Sequence, residues 1–130
     1  MIVDSSVMVA MLKEEPESGQ FMAIMANASD LAMSAATYLE TGIVADRSKD
    51  SLLSRRVDQV IDALGIAIVP VTEAQAKIAR AAYRQYGKGS GHSAGLNFGD
   101  CFSYALAKER GEPLLFKGDG FGRTDVEAAL

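Results

Sequence analysis

The sequence predicts an α/β protein with a mainly parallel central sheet of four to five strands, covered by helices on both faces. Apolar segments of strand length alternate with longer segments of helical periodicity, an order typical of parallel sheets. The strand segments are apolar throughout, as expected when both faces of a sheet are buried. A length of 130 residues with 48% hydrophobic content matches one compact domain. We therefore expect a single three-layer α/β/α domain spanning residues 1–130.

The first half of the chain is predicted to contain two strands and four helices. An apolar run ends at Asp4, and Ser5 begins a helix that continues to Leu12. Pro16 suits the first turn of the next helix, because proline is favoured at that position. Recurring apolar residues at helical spacing define the later helices. The predicted bounds are a helix from Pro16 to about Ala28, a strand over Leu31–Ser34, and helices over Ala35–Ser48 and Leu52–Leu64.

The second half is predicted to contain two further strands, two helices and a glycine-rich loop. Ile66–Val69 is apolar and β-branched, which predicts a buried strand. Asn97 is a good N-cap and Gly111 a good C-cap for the last helix. The predicted bounds are a helix over Glu73–Tyr86, a loop over Gly87–Leu96, a helix from Asn97 to Arg110, a strand over Leu114–Phe116 and a candidate short strand near Val126.

Composition narrows the classes of function. The chain has 13 Lys and Arg against 17 Asp and Glu, a net charge of −4. This balance argues against a protein that coats nucleic acid by neutralising phosphates, so any nucleic-acid contact must be local. The single cysteine, Cys101, allows no intramolecular disulfide. No apolar run approaches the ~20 residues that span a bilayer, and no signal-peptide pattern is present. We expect a cytoplasmic protein with no membrane segment.

Four carboxylates are the candidate site residues: Asp4, Glu40, Asp100 and Asp119. Ligands of open parallel sheets bind beyond the carboxyl ends of the strands, and Asp4 and Asp119 follow the first and fourth predicted strands. Asp100 opens the helix before the fourth strand. Each Asp also has a simpler explanation: Asp4 as a helix cap, Asp100 as half of a capping box with Asn97, and Asp119 as a turn residue. Glu40 lies in a largely apolar stretch, where a carboxylate needs a partner or a cation.

Converging carboxylates repel each other unless a cation neutralises them. Oxygen ligands without a His or Cys cluster favour Mg²⁺ or Mn²⁺ over Zn²⁺. Such ions activate water and stabilise the leaving oxygen in phosphoryl transfer. Without these four residues, the remaining 13 acidic side chains equal the 13 basic ones. The interpretation is therefore that Asp4, Asp100 and Asp119 hold the ion, and that Glu40 ligates it or orients water.

Several segments carry a resemblance to a known family. These are Met1–Ser6 (MIVDSS), Gly87–Gly89 with His92, Leu96–Cys101 (LNFGDC), Leu114–Asp119 (LLFKGD) with Phe121, and Thr124–Val126. Together they resemble the VapC branch of the PIN-domain ribonucleases, from the first residue to about Val126. The resemblance departs from the family at Gly120, where a second Asp is common. It also departs at His92–Gly95, where a proline and a basic residue are common.

The resemblance implies a PIN-like α/β/α fold in one PIN domain, 1–130, with Asp4, Glu40, Asp100 and Asp119 as the acidic set that binds Mg²⁺ or Mn²⁺. It implies cleavage of single-stranded regions, often in tRNA or rRNA, leaving a 5′-phosphate and a 3′-hydroxyl. It also implies the toxin role in a VapBC-type toxin–antitoxin pair, with a VapB-like antitoxin and a homodimer as partners. Asp125 is a candidate supporting carboxylate.

Other residues carry weaker hypotheses. One side of the predicted helix over Glu73–Tyr86, with the residues just after it, carries four basic side chains: Lys77, Arg80, Arg84 and Lys88. They form either a solvated helix face or a stripe that contacts RNA phosphates. His92, the only histidine, is a surface residue or an RNA contact. Ser5 and Ser6 cap a helix or touch water at the metal site, and Cys101 is a small buried hydrophobe. The methionines at 8, 11, 22 and 25 belong to the core or to an adaptable surface for a partner helix.

Three functions compete. The leading hypothesis is a metal-dependent endoribonuclease. The alternative is a non-catalytic binding module whose acidic pocket receives a basic side chain from a partner. A phosphotransfer receiver ranks last, because Val69–Val71 offers no acceptor aspartate at the end of a middle strand.

Overall fold

The computed structural model describes all 130 residues and contains four strands, six α-helices and one 3-10 turn. The strands are β1 (Ile2–Val3), β2 (Ala32–Ser34), β3 (Ala67–Val69) and β4 (Leu114–Leu115). The helices are α1 (Ser5–Leu12), α2 (Ser18–Ala26), α3 (Ala35–Arg47), α4 (Ser51–Leu64), α5 (Glu73–Tyr86) and α6 (Phe98–Arg110), and the 3-10 turn is Phe121–Arg123. None of the helices combines the length and apolar character that crossing a bilayer requires.

All strand pairs are parallel, in the order β3-β2-β1-β4. In the register of the sheet, Ile2 pairs with Ala32 on one side and with Leu114 on the other. Because the strands are parallel, their carboxyl ends meet at one edge of the sheet. Asp4 follows β1 at that edge, and Ala35, the first residue of α3, follows β2 directly. The topology therefore places the predicted site residues at this edge of the sheet, which we call the rim.

Helices cover both faces of the sheet, as the sequence predicts. Successive strand residues point to opposite faces, and the two residues of β1 and of β4 divide between two core clusters accordingly. Ile2 and Leu114 pack with residues of α5 and α6, among them Ala79 and Leu106. Val3 and Leu115 pack on the other face with residues of α1 to α4. The prediction of a three-layer α/β/α fold with a parallel sheet of four strands is confirmed.

Three local predictions need correction. The strand at Ile66–Val69 is an edge strand, and its Ile68 is 39% exposed. Apolar side chains alone do not distinguish a central strand from an edge. The second helix begins at Ser18 rather than at Pro16. No strand forms at Val126, where the backbone makes only an isolated parallel bridge between Leu114 and Ala128.

Candidate active site

Three different elements position the carboxylates at the rim of the sheet. Asp4 is the N-cap of α1, and its side chain accepts a hydrogen bond from the Ser6 amide. Glu40 lies in the first half of α3, and Asp100 lies in the first turn of α6. The capping interpretations of Asp4 and Asp100 are therefore confirmed. Capping does not exclude a catalytic role, since a carboxylate has two oxygens and each accepts more than one bond.

Asp4 is buried, with only 2% of its surface exposed, and both of its oxygens are hydrogen-bonded. Its Oδ2 accepts the backbone N–H of Ser6 at 3.0 Å and the Ser6 hydroxyl at 2.7 Å. Its Oδ1 accepts the Ser103 hydroxyl at 2.6 Å. These donors supply the partners that a buried carboxylate requires. The orientation of Asp4 is consequently fixed before any ligand arrives.

Glu40 is held between α1 and α6. The Ser5 hydroxyl donates to Glu40 Oε1 at 2.8 Å. On the other side the carboxylate lies against Gly99, where an added Cβ would approach Glu40 Cδ to 2.8 Å, closer than real Cβ contacts. Only a glycine leaves room for Glu40 at this point. The side chain is therefore confined by a hydroxyl donor and by a missing Cβ.

Asp100 lies in a capping box with Asn97. The Asn97 amide donates to Asp100 Oδ2 at 2.9 Å, and the Asp100 amide donates to Asn97 Oδ1 at 2.8 Å. The pKa of Asp100 is raised to about 6: burial is the largest cause and the negative charges of Asp4 and Glu40 add to it, while the Asn97 amide and Lys88 act in the opposite direction. Asp4, Glu40 and Asp100 therefore form an electrostatically coupled group.

Asp119 occupies a different setting, in an exposed loop after β4. That loop is tied to the rim because the Lys117 amide donates to the Ser6 hydroxyl oxygen at 3.0 Å. The Lys117 ammonium pairs with Glu15 and with Glu17 in the turn before α2. Gly118 has a φ of +104°, a conformation that favours glycine. The structure thus brings three of the four carboxylates together and leaves Asp119 on an adjoining loop. The metal roles of all four stay predictions.

The chemistry of the donors fits a divalent cation of the Mg²⁺ type. The group supplies only carboxylate and hydroxyl oxygens, and the negative charges of Asp4 and Glu40 oppose the ionisation of Asp100, a conflict that a cation would relieve. No three His, Cys, Asp or Glu side chains in the chain are arranged so that together they could hold one ion. Mg²⁺ is commonly held by one or two carboxylates and keeps several waters. The donor set therefore fits such an ion without a three-carboxylate cage.

The remaining predicted residues are Asp125, the basic residues of α5 and the loop after it, and His92. Asp125 accepts the Tyr104 hydroxyl at 2.6 Å and the Lys108 ammonium at 3.0 Å, contacts that attach the C-terminal segment to α6. The Tyr104 hydrogen bond, with that of Lys108, lowers the pKa of Asp125. Arg80, Arg84, Lys88 and His92 are all exposed, and Lys77 pairs with Glu73 at 3.4 Å.

Two of these residues have defined surroundings. His92 Nδ1 accepts the Ala94 amide at 3.0 Å, and its ring packs edge-on against Tyr86, with ring centroids 4.9 Å apart. Cys101 is buried, and burial raises the pKa of its thiol to about 11. The interpretation of Cys101 as a buried hydrophobe is confirmed.

The sequence interpretation missed two hydroxyl residues beneath the site, Thr37 and Ser103. Thr37 precedes Glu40 by three residues and Ser103 follows Asp100 by three residues, so each lies one helical turn from a site carboxylate. Both are almost fully buried. A small hydroxyl residue at helical spacing from a candidate acid is the available signal in the sequence, but such residues are too common for the spacing alone to single them out.

Comparisons with known proteins show the family and the fold. The PIN domain family model matches residues 1–127. The chain is 52% identical over 130 residues to Ribonuclease VapC28 of Mycobacterium tuberculosis, covering 100% of this chain and 98% of that protein.

Two solved structures share the fold. The structure of Mycobacterium tuberculosis VapC20, described as a Sarcin-Ricin loop cleaving toxin, superposes with a TM-score of 0.75 at 14% identity, covering 96% of this chain and 95% of that one. A toxin-antitoxin complex from Klebsiella pneumoniae superposes with a TM-score of 0.69 at 17% identity, covering 92% and 88%. With the family model matching nearly the whole length and a relative of 52% identity, the chain belongs to the PIN-domain family and is a VapC-like member of it.

Proposed function

We propose that this chain is a metal-dependent endoribonuclease, a single PIN domain over residues 1–130, acting in the cytoplasm as the toxin of a VapBC-type pair. The observation that carries the proposal is the coupled carboxylate group, in which burial, Asp4 and Glu40 raise the pKa of Asp100 to about 6. An unneutralised group of this kind is unfavourable in a folded protein. The name of the 52% identical relative, Ribonuclease VapC28, supports RNA as the substrate.

Within this proposal each site residue has a definite task. A bound Mg²⁺ or Mn²⁺ would supply positive charge and Lewis acidity at the scissile phosphate. Asp4 and Asp100 would offer it carboxylate oxygens from the rim, and Asp119, on the adjoining loop, would have to move towards the rim to join them. Glu40, held by Ser5 at 2.8 Å, is placed to ligate the ion or to orient a water molecule. Ser6 holds Asp4 at 2.7 Å and also accepts the loop amide of Lys117 at 3.0 Å, which attaches the loop that carries Asp119 to the rim.

The RNA substrate, which we propose to be a tRNA or an rRNA, needs local positive charge on an acidic protein. Lys88 is the clearest source, because its charge lowers the pKa of Asp100 and is therefore felt at the site. Arg80 and Arg84 are exposed on α5, the helix that precedes Lys88. His92 is exposed in the glycine-rich loop between Lys88 and α6. Together these residues would guide the RNA backbone towards the carboxylates.

RNA cleavage is the direct test. Purified protein incubated with total RNA should cleave it in Mg²⁺ or Mn²⁺ and stop when EDTA removes the ion. Asp4→Asn and Asp100→Asn should each remove most of the activity while the protein stays folded by circular dichroism, since both keep their shape and some capping ability. Asp46→Asn, an exposed change on the same helix as Glu40, should cleave normally. Near-wild-type turnover in both site variants would refute the metal-site proposal.

The antitoxin partner is proposed to use a groove beside the site. The groove has a volume of about 250 Å³ and is lined by Met8, Met11, Leu12, Glu14, Ser18, Gly19, Met22, Arg56 and Val60. Helix α1 joins the two regions, because it carries Asp4 at its N-terminus and three of the lining residues further along. Met8, Met11 and Met25 are buried in the core, so Met22, which is 40% exposed, is the methionine that would contact a partner helix. A guanidinium from that partner would neutralise the carboxylates in bidentate geometry. The toxin–antitoxin complex from Klebsiella pneumoniae supports an antitoxin as the partner.

Antitoxin inhibition measured at rising Mg²⁺ tests this mode of binding. Inhibition should weaken as the ion competes with the basic side chain, and an antitoxin lacking that side chain should lose the competition. If its removal changes neither affinity nor metal competition, the groove alone carries inhibition. Tight binding of a basic partner by a protein that cleaves no RNA under any metal condition would favour the alternative function, a non-catalytic binding module.

A homodimer is the proposed assembly. Large apolar side chains are exposed on α3 and at the start of α6: Leu39 at 60%, Ile43 at 45% and Phe98 at 77%. With Phe102 they line a groove of about 570 Å³ that also includes Glu40 and Gly99. Contiguous exposed apolar surface of this kind marks an interaction site. A second copy seated here would lie beside the carboxylate group.

A further inference from the structure

Thr37 and Ser103 form a buried pair of hydroxyls that ends on the Asp4 carboxylate. The Thr37 and Ser103 hydroxyl oxygens are 3.1 Å apart, and the Ser103 oxygen is 2.6 Å from Asp4 Oδ1. The exposed fractions are 1% for Thr37, 0% for Ser103 and 2% for Asp4. Neither hydroxyl reaches the surface, so neither can touch RNA directly. Whatever these two residues contribute to the site must pass through Asp4.

Proton counting gives the pair a direction. A serine hydroxyl has one hydrogen to donate, and Ser103 donates its hydrogen to Asp4. Thr37 must therefore be the donor in its contact with Ser103. The chain runs from the Thr37 hydroxyl to the Ser103 hydroxyl and then to Asp4 Oδ1. Hydrogen bonds in such a chain polarise and strengthen one another in a low-dielectric interior.

This chain of hydrogen bonds links the elements that carry Asp4, Glu40 and Asp100. Thr37 lies on α3 one turn before Glu40, and Ser103 lies on α6 one turn after Asp100. Asp4, at the end of β1, accepts the Ser103 hydroxyl on Oδ1 and the Ser6 hydroxyl on Oδ2. A shift of α3 or α6 relative to the sheet would therefore strain the hydrogen bonds that orient Asp4.

We infer that Thr37 and Ser103 are positioning residues that hold the Asp4 carboxylate in register with Glu40 and Asp100. This inference rests on the proposed function, because the register matters only if the carboxylates act together on an ion. Ser103 acts on Asp4 directly, and Thr37 acts only through Ser103. Outer partners of a metal ligand typically affect affinity for the ion by about 10- to 100-fold, and an effect of that size is expected here.

The experiment measures Mn²⁺ affinity by isothermal titration calorimetry and RNA cleavage as separate kcat and KM values. Ser103→Ala should weaken Mn²⁺ binding by about 10- to 100-fold and lower kcat with little change in KM. Thr37→Val should weaken Mn²⁺ binding less, and Thr37→Ser, which keeps the hydroxyl, should restore it. Adding Thr37→Val to Ser103→Ala should cause no further loss, because the path from Thr37 is already broken.

Thr41→Val is the matched control. Thr41 lies on the same helix, is 0% exposed, and donates its hydroxyl hydrogen to the Thr37 main-chain carbonyl at 2.9 Å, outside the chain to Asp4. It should lower the melting temperature as the other variants do, yet leave Mn²⁺ affinity unchanged. If Ser103→Ala does not fold, Thr37→Val compared with Thr37→Ser carries the same test.

Several results would overturn the inference. Wild-type Mn²⁺ affinity in Ser103→Ala and Thr37→Val would do so, as would additive losses in the double variant or an equal loss in Thr41→Val. A wild-type protein that neither binds Mn²⁺ nor cleaves RNA would instead refute the proposed function, and this inference with it. Measuring the wild type first separates the two failures.

Discussion

Asp100 meets two requirements with one side chain. Its carboxylate completes the capping box of α6 by accepting the Asn97 amide at 2.9 Å, and it also lies within the electrostatic influence of Asp4 and Glu40. The capping role of this residue is therefore compatible with the catalytic role that we propose for it. The cap fixes where the carboxylate lies, and its neighbours make its negative charge unfavourable until a cation is present.

The raised pKa of Asp100 predicts a particular dependence of stability on pH. Its pKa is about 6 in the folded protein against 3.8 for a free side chain, so between these values the folded state binds more protons than the unfolded state. Stability from this group therefore falls as pH rises from about 4 to about 6 and stays lower above. Asp100→Asn removes this cost and should raise the melting temperature of the metal-free protein at pH 7.5, but not at pH 4.

Thermal melts of wild type and Asp100→Asn across pH 4–8 in EDTA measure this difference. After discounting for solvent screening, a gain of the order of 1 kcal/mol is expected at pH 7.5, or about 4 °C. Saturating Mn²⁺ should stabilise the wild type more than the variant and shrink the gap. A gap that does not change with pH would mean that the Asp100 charge carries no such cost.

The sequence identified the acidic residues more readily than the groups that hold them. Asp4 and Asp100 follow from position, since one ends a strand and the other opens a helix near a strand end. Ser103 does not, because its contact with Asp4 joins residues 99 positions apart and depends on how α6 packs against β1. Hydroxyl residues are frequent in helices, and only the packing shows which of them meets a carboxylate.

At the scale of elements, the position of the Glu40 carboxylate between α3 and α6 depends on Gly99. A Cβ at that position would lie 2.8 Å from Glu40 Cδ, so any side chain would displace the carboxylate. Gly99→Ala should therefore lower RNA cleavage by about 10- to 100-fold, an effect typical of small misplacements in an active site. Stability should change little, because alanine is the better helix former and the Glu40 side chain can move aside.

Gly42→Ala provides the control for Gly99→Ala. Gly42 lies on α3 two residues beyond Glu40, and a Cβ there meets nothing within 4 Å. This variant should cleave RNA normally and melt at the same or a higher temperature. The comparison uses kcat for cleavage and the melting temperature of each protein. Equal activity in both alanine variants would show that Glu40 tolerates displacement.

The helix α5 carries the prediction about RNA binding. Reversing the charges of Arg80 and Arg84 to glutamate should weaken RNA affinity and reduce the slope of log affinity against log salt by about 1 to 2, if both contact phosphates. The cleavage products should stay the same, because neither residue is a site carboxylate. Fluorescence anisotropy with labelled RNA in EDTA, at several salt concentrations, measures both quantities.

Arg55→Glu with Arg56→Glu on α4 makes the same change in net charge on another helix. This control should retain the wild-type affinity and salt slope. If both double variants weaken binding equally, the effect reflects overall charge rather than a stripe on α5. If neither does, Arg80 and Arg84 belong to a solvated helix face.

Periodicity predicted the helices and strands well because each is set by local pattern and by caps such as Asn97 and Gly111, both of which the structure confirms. It predicted less about how elements are arranged. The strand β3 is as apolar as a central strand, yet it lies at the sheet edge with Ile68 partly exposed. Edge or centre is decided by which neighbours pair, information that a single strand does not contain.

At the scale of the whole molecule, charge and apolar surface are unevenly distributed. The net charge is −4, and three of the acids are gathered at the rim of the sheet. The largest exposed apolar side chains near them, Leu39, Ile43 and Phe98, lie on the same two helices that carry Glu40 and Asp100. A second copy of the chain bound on this surface would bring two carboxylate groups close to one interface.

The last prediction is that the chain is a dimer through this surface. Leu39→Glu with Ile43→Glu places charges in the proposed interface, where their burial is costly, so the variant should be monomeric when light scattering is measured at micromolar concentration. Leu52→Glu changes a side chain that is 62% exposed on α4 and should leave the dimer intact. A wild-type monomer across that concentration range would contradict the prediction. A dimer that survives in the double variant would assign the interface to another face. Leu39 adjoins Glu40 in sequence, so RNA cleavage is measured on the double variant and on Leu52→Glu as well. That comparison shows whether assembly and activity depend on each other.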